Sequence, residues 1–275
     1  MQLGLSIIAG LCGSVYSLDR HMRKETILKT VLITGCSSGF GLDIAKYFLE
    51  RDWKVVATMR SPREGLLTDS ENLVILPLDV KNDESVRLAV EAAGPIDALV
   101  NNAGIGWLNA VEGTPMDVVA DIFETNTFGT IRMVQAVLPQ FRARKAGMIV
   151  NVTSSVTMKS LPLLSVYTAS KAAVNAFTES VAIELAPFGI DVKIVLPGAA
   201  PDTSFGKTAM GRMQGSGGFP EPYADYAPGI ISGMMQSRAE VTKSSDVAEA
   251  VWRAVTDPSC PMRLPAGADA LALAG

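Results

Sequence analysis

The stretch ILKTVLITGCSSGFGLDIAKYFLER, residues 27–51, joins a short apolar run to an amphipathic pattern through a glycine-rich turn. The apolar run is typical of a parallel strand that is buried on both faces. After the turn, Phe40, Ile44 and Phe48 recur every four residues, which predicts a helix with one apolar face. The stretch therefore predicts a strand, a tight turn and a helix in succession.

The turn itself, TGCSSGFG at residues 34–41, has the setting of a phosphate-binding loop. Its glycines let the backbone approach a pyrophosphate, and the N-terminus of the following helix faces the anion. Glycine also serves plain turns, but the strand before the loop and the helix after it favour a dinucleotide. The residues expected to contact the dinucleotide here are Gly35, Ser37, Ser38, Gly39, Phe40 and Gly41.

The same alternation continues along the chain. Further apolar runs are KVVATMR, NLVILPLDV, IDALVNNAG, MIVNVTS and VKIVLPG, and amphipathic stretches separate them. Alternating strands and helices predict a parallel sheet with helices on both faces. We therefore expect a single α/β domain over residues 26–275, built as a doubly wound sheet of the Rossmann type.

Composition excludes several classes of protein. With 275 residues and 48% hydrophobic content the chain can bury one core, and its net charge of −4 is not gathered into a block that would bind nucleic acid. Cys12, Cys36 and Cys260 are too far apart for a disulfide framework or a metal site, which favours a reducing, cytoplasmic setting. His21, the single histidine, lies outside the strand pattern, so neither a Ser-His-Asp triad nor a catalytic zinc is expected.

Two segments depart from the strand and helix rhythm. Residues 2–18 carry no charge, but they are short for a membrane span and diluted by glycine, so we expect residues 1–25 to form a tail. A membrane anchor is the alternative.

Residues 199–240 are rich in Gly, Pro and Met and contain scattered aromatic residues. Because they follow a strand's carboxyl end, we expect an irregular lid over the ligand, with an ordinary surface insertion as the alternative.

Tyr167 and Lys171 are four residues apart in SVYTASKAAVNAFTESVAIEL, which reads as one helix. Both side chains then emerge from the same face, one turn apart. A neighbouring ammonium group favours the phenolate and is expected to lower the pKa of the tyrosine toward working pH. The pair therefore suits proton transfer.

These motifs together resemble the short-chain dehydrogenase/reductase family. The resemblance rests on the T-G-x-x-x-G-x-G turn, NNAG at residues 101–104, Asn126, Ser154, the YTASK sequence and Pro197-Gly198, all in the family's order, and it covers roughly residues 29–265. It implies an oxidoreductase that uses a nicotinamide cofactor. The catalytic residues that it implies are Asn126, Ser154, Tyr167 and Lys171.

The resemblance also bears on two of these residues individually. Family members commonly carry the catalytic serine thirteen residues before the tyrosine, which selects Ser154 and leaves Ser155 as the fallback. Either serine could instead serve a turn or a cap. Asn126 resembles the family's helix asparagine, which holds a water against the lysine, although a helical asparagine can also bond neighbouring backbone.

Cofactor choice depends on the end of the second strand. An acidic residue there would accept the ribose hydroxyls, whereas a basic one would pair with a 2′-phosphate. The chain has Arg60 at this point, with Arg63 close by, so NADP(H) is expected in preference to NAD(H). Other residues that the resemblance assigns to the cofactor are Asp79, Val80, Asn102, Ala103, Gly104, Tyr167, Lys171, Pro197 and Gly198.

The expected reaction is reversible hydride transfer between NADP(H) and a secondary alcohol or ketone. The methionines and aromatics of residues 199–240 suggest an apolar substrate, and the resemblance is to steroid- and retinol-type members. An NADP(H)-binding regulatory protein without turnover is the alternative. Family members commonly pair the helix at residues 165–187 across a twofold axis, and Ala172, Ala173 and Ala176 permit close approach, so a homodimer or homotetramer is expected.

Overall fold

The computed structural model describes residues 28–63, 65–236 and 241–274, so the expected tail at 1–25 lies outside the described residues. Within that part of the chain the strands form one parallel sheet in the order β3-β2-β1-β4-β5-β6-β7. The strands are β1 (Thr30–Ile33), β2 (Lys54–Met59), β3 (Leu73–Pro77), β4 (Ala98–Asn101), β5 (Gly147–Val152), β6 (Ile190–Pro197) and β7 (Arg263–Ala266).

Helices cover both faces of this sheet, as the sequence predicts. The helices are α1 (Gly39–Leu49), α2 (Asp83–Ala93), α3 (Met116–Phe123), α4 (Gly129–Arg144), α5 (Ser165–Leu185), α6 (Ser204–Gly215), α7 (Tyr226–Gln236), α8 (Ser244–Thr256) and α9 (Ala268–Ala274). None of them is both long and apolar enough to span a bilayer, as far as the described ranges show.

The core lies in two apolar layers, one on each face of the sheet. On one face, Ile44 and Phe48 of α1 pack with Val251 of α8. On the other, Val134 of α4 and Val181 of α5 pack against the strands, together with α2. Because both faces are covered, the central strands are apolar at nearly every position, and the expected doubly wound sheet is confirmed.

Residues 199–236, the continuous part of this segment that the structure describes, are mostly helical and not irregular, contrary to expectation. Helices α6 and α7 occupy most of the segment. Met213 in α6 is buried in an apolar cluster with Trp107, and Ala227 in α7 is buried in a second cluster with Leu163. This burial outweighs the helix-weakening effect of the glycines, which the local sequence pattern suggested would prevent regular structure.

A buried polar ladder crosses the sheet beneath its carboxyl edge. Asn101 of β4 lies opposite Asn151 of β5 in the strand register, and Asn101 Nδ2 donates to Asn151 Oδ1 at 2.9 Å. Asn151 Nδ2 in turn donates to Thr178 Oγ1 of α5 at 2.8 Å. The ladder fixes α5 against the two central strands at one depth.

Candidate active site

The site lies at the carboxyl edge of the sheet, where the turns after β1 and β4 are tied together. Thr34 Oγ1 accepts hydrogen bonds from the backbone N–H groups of Asn102 at 3.0 Å and Ala103 at 2.9 Å. Asn102 Nδ2 donates back to the Thr34 carbonyl at 2.9 Å. These three hydrogen bonds therefore hold the NNAG segment against the glycine-rich turn.

The N-terminus of α1 suits an anionic group. Ser38 occupies the N-cap position, but its side chain caps no backbone N–H, and the first turn carries no acidic residue. Gly35 has a φ of +76°, and a Cβ on Gly41 would overlap the Gly35 carbonyl, so the tight turn requires glycine at both positions. The uncapped helix end and close backbone fit the pyrophosphate that the sequence predicts.

Two arginines flank this turn on the β2 side. Arg60 follows β2 directly and is exposed. Arg63 Nη2 donates to the Ser37 carbonyl at 2.8 Å, which places its guanidinium group beside the glycine-rich turn. The structure thus brings Arg63 to the glycine-rich turn and places Arg60, exposed, at the end of β2.

Asp79 and Val80 follow β3 by a few residues, next to the same edge. The side chain of Asp79 accepts a hydrogen bond from the Lys81 backbone at 3.0 Å. Val80 is buried against Gly129, where a Cβ would meet the valine side chain at 2.7 Å. Local contacts thus hold Asp79 and Val80 in place at this edge of the sheet.

Tyr167, Ser154 and Lys171 come together where α5 crosses the end of β5. All three side chains are buried, and Tyr167 makes a side-chain hydrogen bond with Ser154. Lys171 Nζ donates to the Val152 carbonyl at 3.0 Å. The helical spacing predicted from the sequence therefore does place the phenol and the ammonium group on one face.

The electrostatics of this trio differ from the expectation. Burial raises the pKa of Tyr167 to about 12, and the hydrogen bond with Ser154 lowers it only in part. Burial also lowers the pKa of Lys171 to about 8. The expected depression of the tyrosine pKa by Lys171 is absent: burial dominates, and the lowering contribution comes from Ser154. Tyr167 is consequently a protonated phenol at neutral pH.

Ser154, and not Ser155, faces the tyrosine. Its backbone is clamped from α5, because Thr157 Oγ1 donates to the Ser154 carbonyl at 2.8 Å and Asn175 Nδ2 donates to Thr157 Oγ1 at 2.9 Å. Ser154 Oγ also accepts from the Val156 N–H at 3.3 Å, so the turn role considered from sequence exists beside the contact with Tyr167.

Asn126 lies in a π-helical turn, Glu124–Phe128, between α3 and α4. Its carboxamide is fully engaged: Oδ1 accepts from the Ile105 N–H at 2.8 Å, and Nδ2 donates to the Ile105 carbonyl and to Ser170 Oγ, each at 3.0 Å. A Cβ on Gly104 would lie 3.1 Å from Asn126 Oδ1 and 3.3 Å from Lys171 Nζ. Asn126 thus positions the NNAG turn beside the lysine.

The turn after β6 reaches across to the glycine-rich turn. Thr203 lies close enough to Gly39 that a Cβ there would be 3.6 Å from its side chain. Ser204 Oγ is 3.3 Å from Ser38 Oγ. Thr203 and the start of α6 therefore lie beside the glycine-rich turn.

An aromatic side chain of α6 covers the tyrosine. The rings of Phe205 and Tyr167 have centroids 5.8 Å apart, and the Phe205 ring also packs on Gly106. An apolar cluster continues from there through Val166 and Met210 to Trp107. Trp107 was not singled out from the sequence, although its position directly after the NNAG turn could have indicated it.

Comparisons with known proteins decide the family. The family model described as short chain dehydrogenase matches residues 29–211. The chain belongs to the short-chain dehydrogenase/reductase family. An uncharacterized oxidoreductase of Bacillus subtilis (strain 168) is 35% identical to it over 83% of this chain and 85% of its own. Retinol dehydrogenase 8 of Bos taurus is 40% identical, but the match covers 62% of this chain and 58% of that enzyme.

Solved structures of the family share the fold and bind nicotinamide dinucleotides. ElxO with NADP bound has a TM-score of 0.72 and 26% identity, over 90% of this chain and 100% of that one. The 3-ketoacyl-(acyl-carrier-protein) reductase from Brucella melitensis complexed with NADH also has a TM-score of 0.72, with 29% identity over 86% and 96% of the two chains. The chain is accordingly an oxidoreductase with a dinucleotide-binding fold.

Proposed function

We propose that this short-chain dehydrogenase transfers a hydride between NADP(H) and an apolar secondary alcohol or ketone. The observation that carries the proposal is the buried hydrogen bond between Tyr167 and Ser154, with Lys171 one helical turn away, at the edge where the glycine-rich turn lies. These three side chains supply what carbonyl reduction needs besides hydride: a proton donor, a hydroxyl to orient the substrate oxygen, and a cation.

The protonation states of Tyr167 and Lys171 favour a separate role for each residue of the trio. A bound nicotinamide cofactor supplies or accepts the hydride. Tyr167 is protonated at neutral pH, so its phenol can donate a proton to the oxygen of a ketone as that oxygen gains charge. Ser154 donates a second hydrogen bond to the same oxygen. Lys171 stabilises the phenolate left behind, and alcohol oxidation is the reverse sequence.

The preference for NADP(H) rests on the two arginines. Arg60 and Arg63 lie at the end of β2 and beside the glycine-rich turn, where a 2′-phosphate would gain charge-assisted hydrogen bonds. The strand end carries no carboxylate that would accept the ribose hydroxyls of NAD(H) instead. The chain's own residues thus fit the phosphorylated cofactor.

The apolar substrate is supported by what surrounds the phenol. Phe205 lies over Tyr167, and the cluster around Trp107 and Met213 extends the apolar surface beneath α6. Residues 199–240 act as the lid of this site in the proposed function, and helix α6 brings its aromatic residue onto the reacting group. A small charged substrate would have no counter-charge in this cluster.

Two further features belong to the proposal. Cys36 and Cys260 are buried free thiols, which suits a reducing, cytoplasmic setting. The outward face of α5 exposes Ala172 and Ala176, and Ile183 on this helix is 79% exposed, which suits association of the chain with a second copy.

The test combines cofactor titration with turnover of a panel of apolar alcohols and ketones, followed by nicotinamide absorbance. Tyr167→Phe removes one buried oxygen and little volume, so the fold and NADPH binding should persist while turnover falls by about 10² to 10⁴-fold. Tyr47→Phe is the matched control, because this tyrosine of α1 contacts Arg51 and Trp252 and not the trio, and its turnover should match the unaltered chain.

Each other outcome has a distinct meaning. NADPH binding without turnover of any member of the panel would favour the regulatory protein that the sequence left open. Turnover that survives Tyr167→Phe would move the proton donor to another residue and refute the mechanism.

A further inference from the structure

The turn after β6 is held by residues that come from the far end of the chain. Asp269, at the start of α9, accepts a hydrogen bond from the Ala199 N–H at 2.7 Å through Oδ2. Its other oxygen, Oδ1, accepts from the hydroxyl of Thr242 at 2.5 Å. The same hydroxyl accepts from the Gly198 N–H at 3.1 Å. One carboxylate and one hydroxyl thus fix two consecutive backbone amides.

The arrangement is closely packed. Thr242 is fully buried, and its backbone N–H donates to the Ala199 carbonyl at 3.1 Å. A Cβ on Gly198 would overlap the carboxylate of Asp269, and a Cβ on Gly267 would overlap the hydroxyl of Thr242. Both glycines are required because the backbone passes directly against this pair of side chains.

The position of the pair matters because of what it joins. Ala199 begins the segment that contains α6 and α7, and Thr242 follows its end. Both ends of the segment, its two stems, are therefore hydrogen-bonded to Asp269. The first stem also leads within a few residues to Thr203 and Ser204, which lie against the glycine-rich turn, and to Phe205, which lies over Tyr167.

We propose that Asp269 is a positioning residue that anchors both stems of residues 199–240 and so sets the nicotinamide end of the cofactor site. This inference rests on the proposed function, since it concerns the cofactor that function requires. Asp269 touches neither Tyr167 nor the glycine-rich turn, and it acts through the backbone of Gly198 and Ala199. Without it, the two stems would keep only the hydrogen bonds that join Thr242 to the backbone of Gly198 and Ala199.

The perturbation is Asp269→Ala, which leaves the Ala199 N–H without its acceptor and leaves the Thr242 hydroxyl only the Ala266 carbonyl, at 3.1 Å, as an acceptor. We expect the affinity for NADPH to fall by about tenfold, because binding would have to order a segment that has lost about the free energy of one charge-assisted hydrogen bond. Binding of 2′,5′-ADP, which lacks the nicotinamide end, should be unchanged. Asp246→Asn, in the first turn of α8, is the matched control: its amide oxygen can still accept the hydrogen bond from the Lys243 N–H, so it should alter neither affinity.

A second measurement needs no cofactor. Lys207 lies on the exposed side of α6, and trypsin cleavage after it reports loosening of the anchored segment. Asp269→Ala should be cut faster than the unaltered chain, while Asp246→Asn should be cut at the same rate. If Asp269→Ala fails to fold, Thr242→Val and Thr242→Ser replace it, because only the serine keeps the hydroxyl, and Thr242→Val should show both effects while Thr242→Ser shows neither.

The outcomes distinguish failure of this inference from failure of the proposed function. Equal losses of NADPH and 2′,5′-ADP, or unchanged cleavage together with unchanged NADPH affinity, would overturn the positioning role. Equal behaviour of Thr242→Val and Thr242→Ser would overturn it as well. Failure of the unaltered chain to bind NADPH would instead overturn the proposed function, and it would be visible before any variant is compared.

Discussion

Replacing Lys171 with methionine should change the stability of the fold by an amount that depends on pH. The lysine is buried, and burial lowers its pKa from 10.5 to about 8. The protonated form is therefore less favourable in the folded chain than in the unfolded chain. Each tenfold change in proton affinity is worth about 1.4 kcal/mol, so this difference corresponds to roughly 3 kcal/mol of lost stability.

The direction of the pH dependence follows from the two pKa values. Below pH 8 the lysine is charged in both states, and the folded chain carries the whole penalty. Between pH 8 and 10.5 the unfolded chain binds a proton that the folded chain has released, so the stability of the unaltered chain rises with pH. Methionine has no such dependence.

A second effect of the substitution does not depend on pH. Lys171→Met leaves the Val152 carbonyl without its 3.0 Å hydrogen bond, which costs about 1–3 kcal/mol. At neutral pH the net change is therefore small. The diagnostic quantity is the difference in free energy of unfolding between the two chains, which should shift by roughly 3 kcal/mol in favour of the lysine between pH 7 and 10.5.

The assay is urea denaturation of both chains at several pH values in that range. Lys207→Met, on the exposed side of α6, is the control, and its difference from the unaltered chain should stay level. If the difference in free energy of unfolding for Lys171→Met also stays constant with pH, burial does not disfavour the protonated lysine. The protonation states assigned to Tyr167 and Lys171 would then be wrong. Activity should be lost in Lys171→Met at every pH.

Three other predictions concern the cofactor, the substrate oxygen and the assembly. Arg60→Ala should reduce the preference for NADPH over NADH by about tenfold or more, measured as the ratio of the two kcat/KM values, and a native preference for NADH would refute it. Ser154→Ala should lower kcat by about 10²-fold, while Ser155→Ala should leave it near the unaltered value, and the reverse order would exchange their roles. Light scattering at micromolar concentration should give a dimer or tetramer that Ile183→Glu weakens; a monomer would exclude association through α5.

The sheet could be predicted from sequence because its central strands are buried and consist of nearly uninterrupted apolar runs. β7 escaped notice because RLPA, residues 263–266, is four residues long and contains a charge and a proline. Helices α6 and α7 escaped notice for a different reason. Their glycines argue against helix locally, and the compensating burial of Met213 and Ala227 depends on partners that are distant in sequence.

The candidate site, too, could be predicted from the sequence only in part. Tyr167 and Lys171 share a helix, so their spacing alone indicated that their side chains meet. Their pKa values could not be read from that spacing, because burial depends on the whole fold around them. Asp269 and Thr242 gave no local signal, since they lie 27 residues apart and meet only when β7 has joined the sheet.

The asparagine ladder under the site has a consequence for how the strands find their alignment. β4 is apolar before Asn101 and β5 is apolar on both sides of Asn151, so a pairing displaced by two residues would bury similar hydrocarbon. It would also separate the two side chains and leave the buried Asn101 Nδ2 without its acceptor, at a cost of about 1–3 kcal/mol. The pair thus discriminates among otherwise similar alignments. Asn102 and Ser154 follow these asparagines within three residues, so the alignment that pairs the asparagines also brings the NNAG turn level with Ser154.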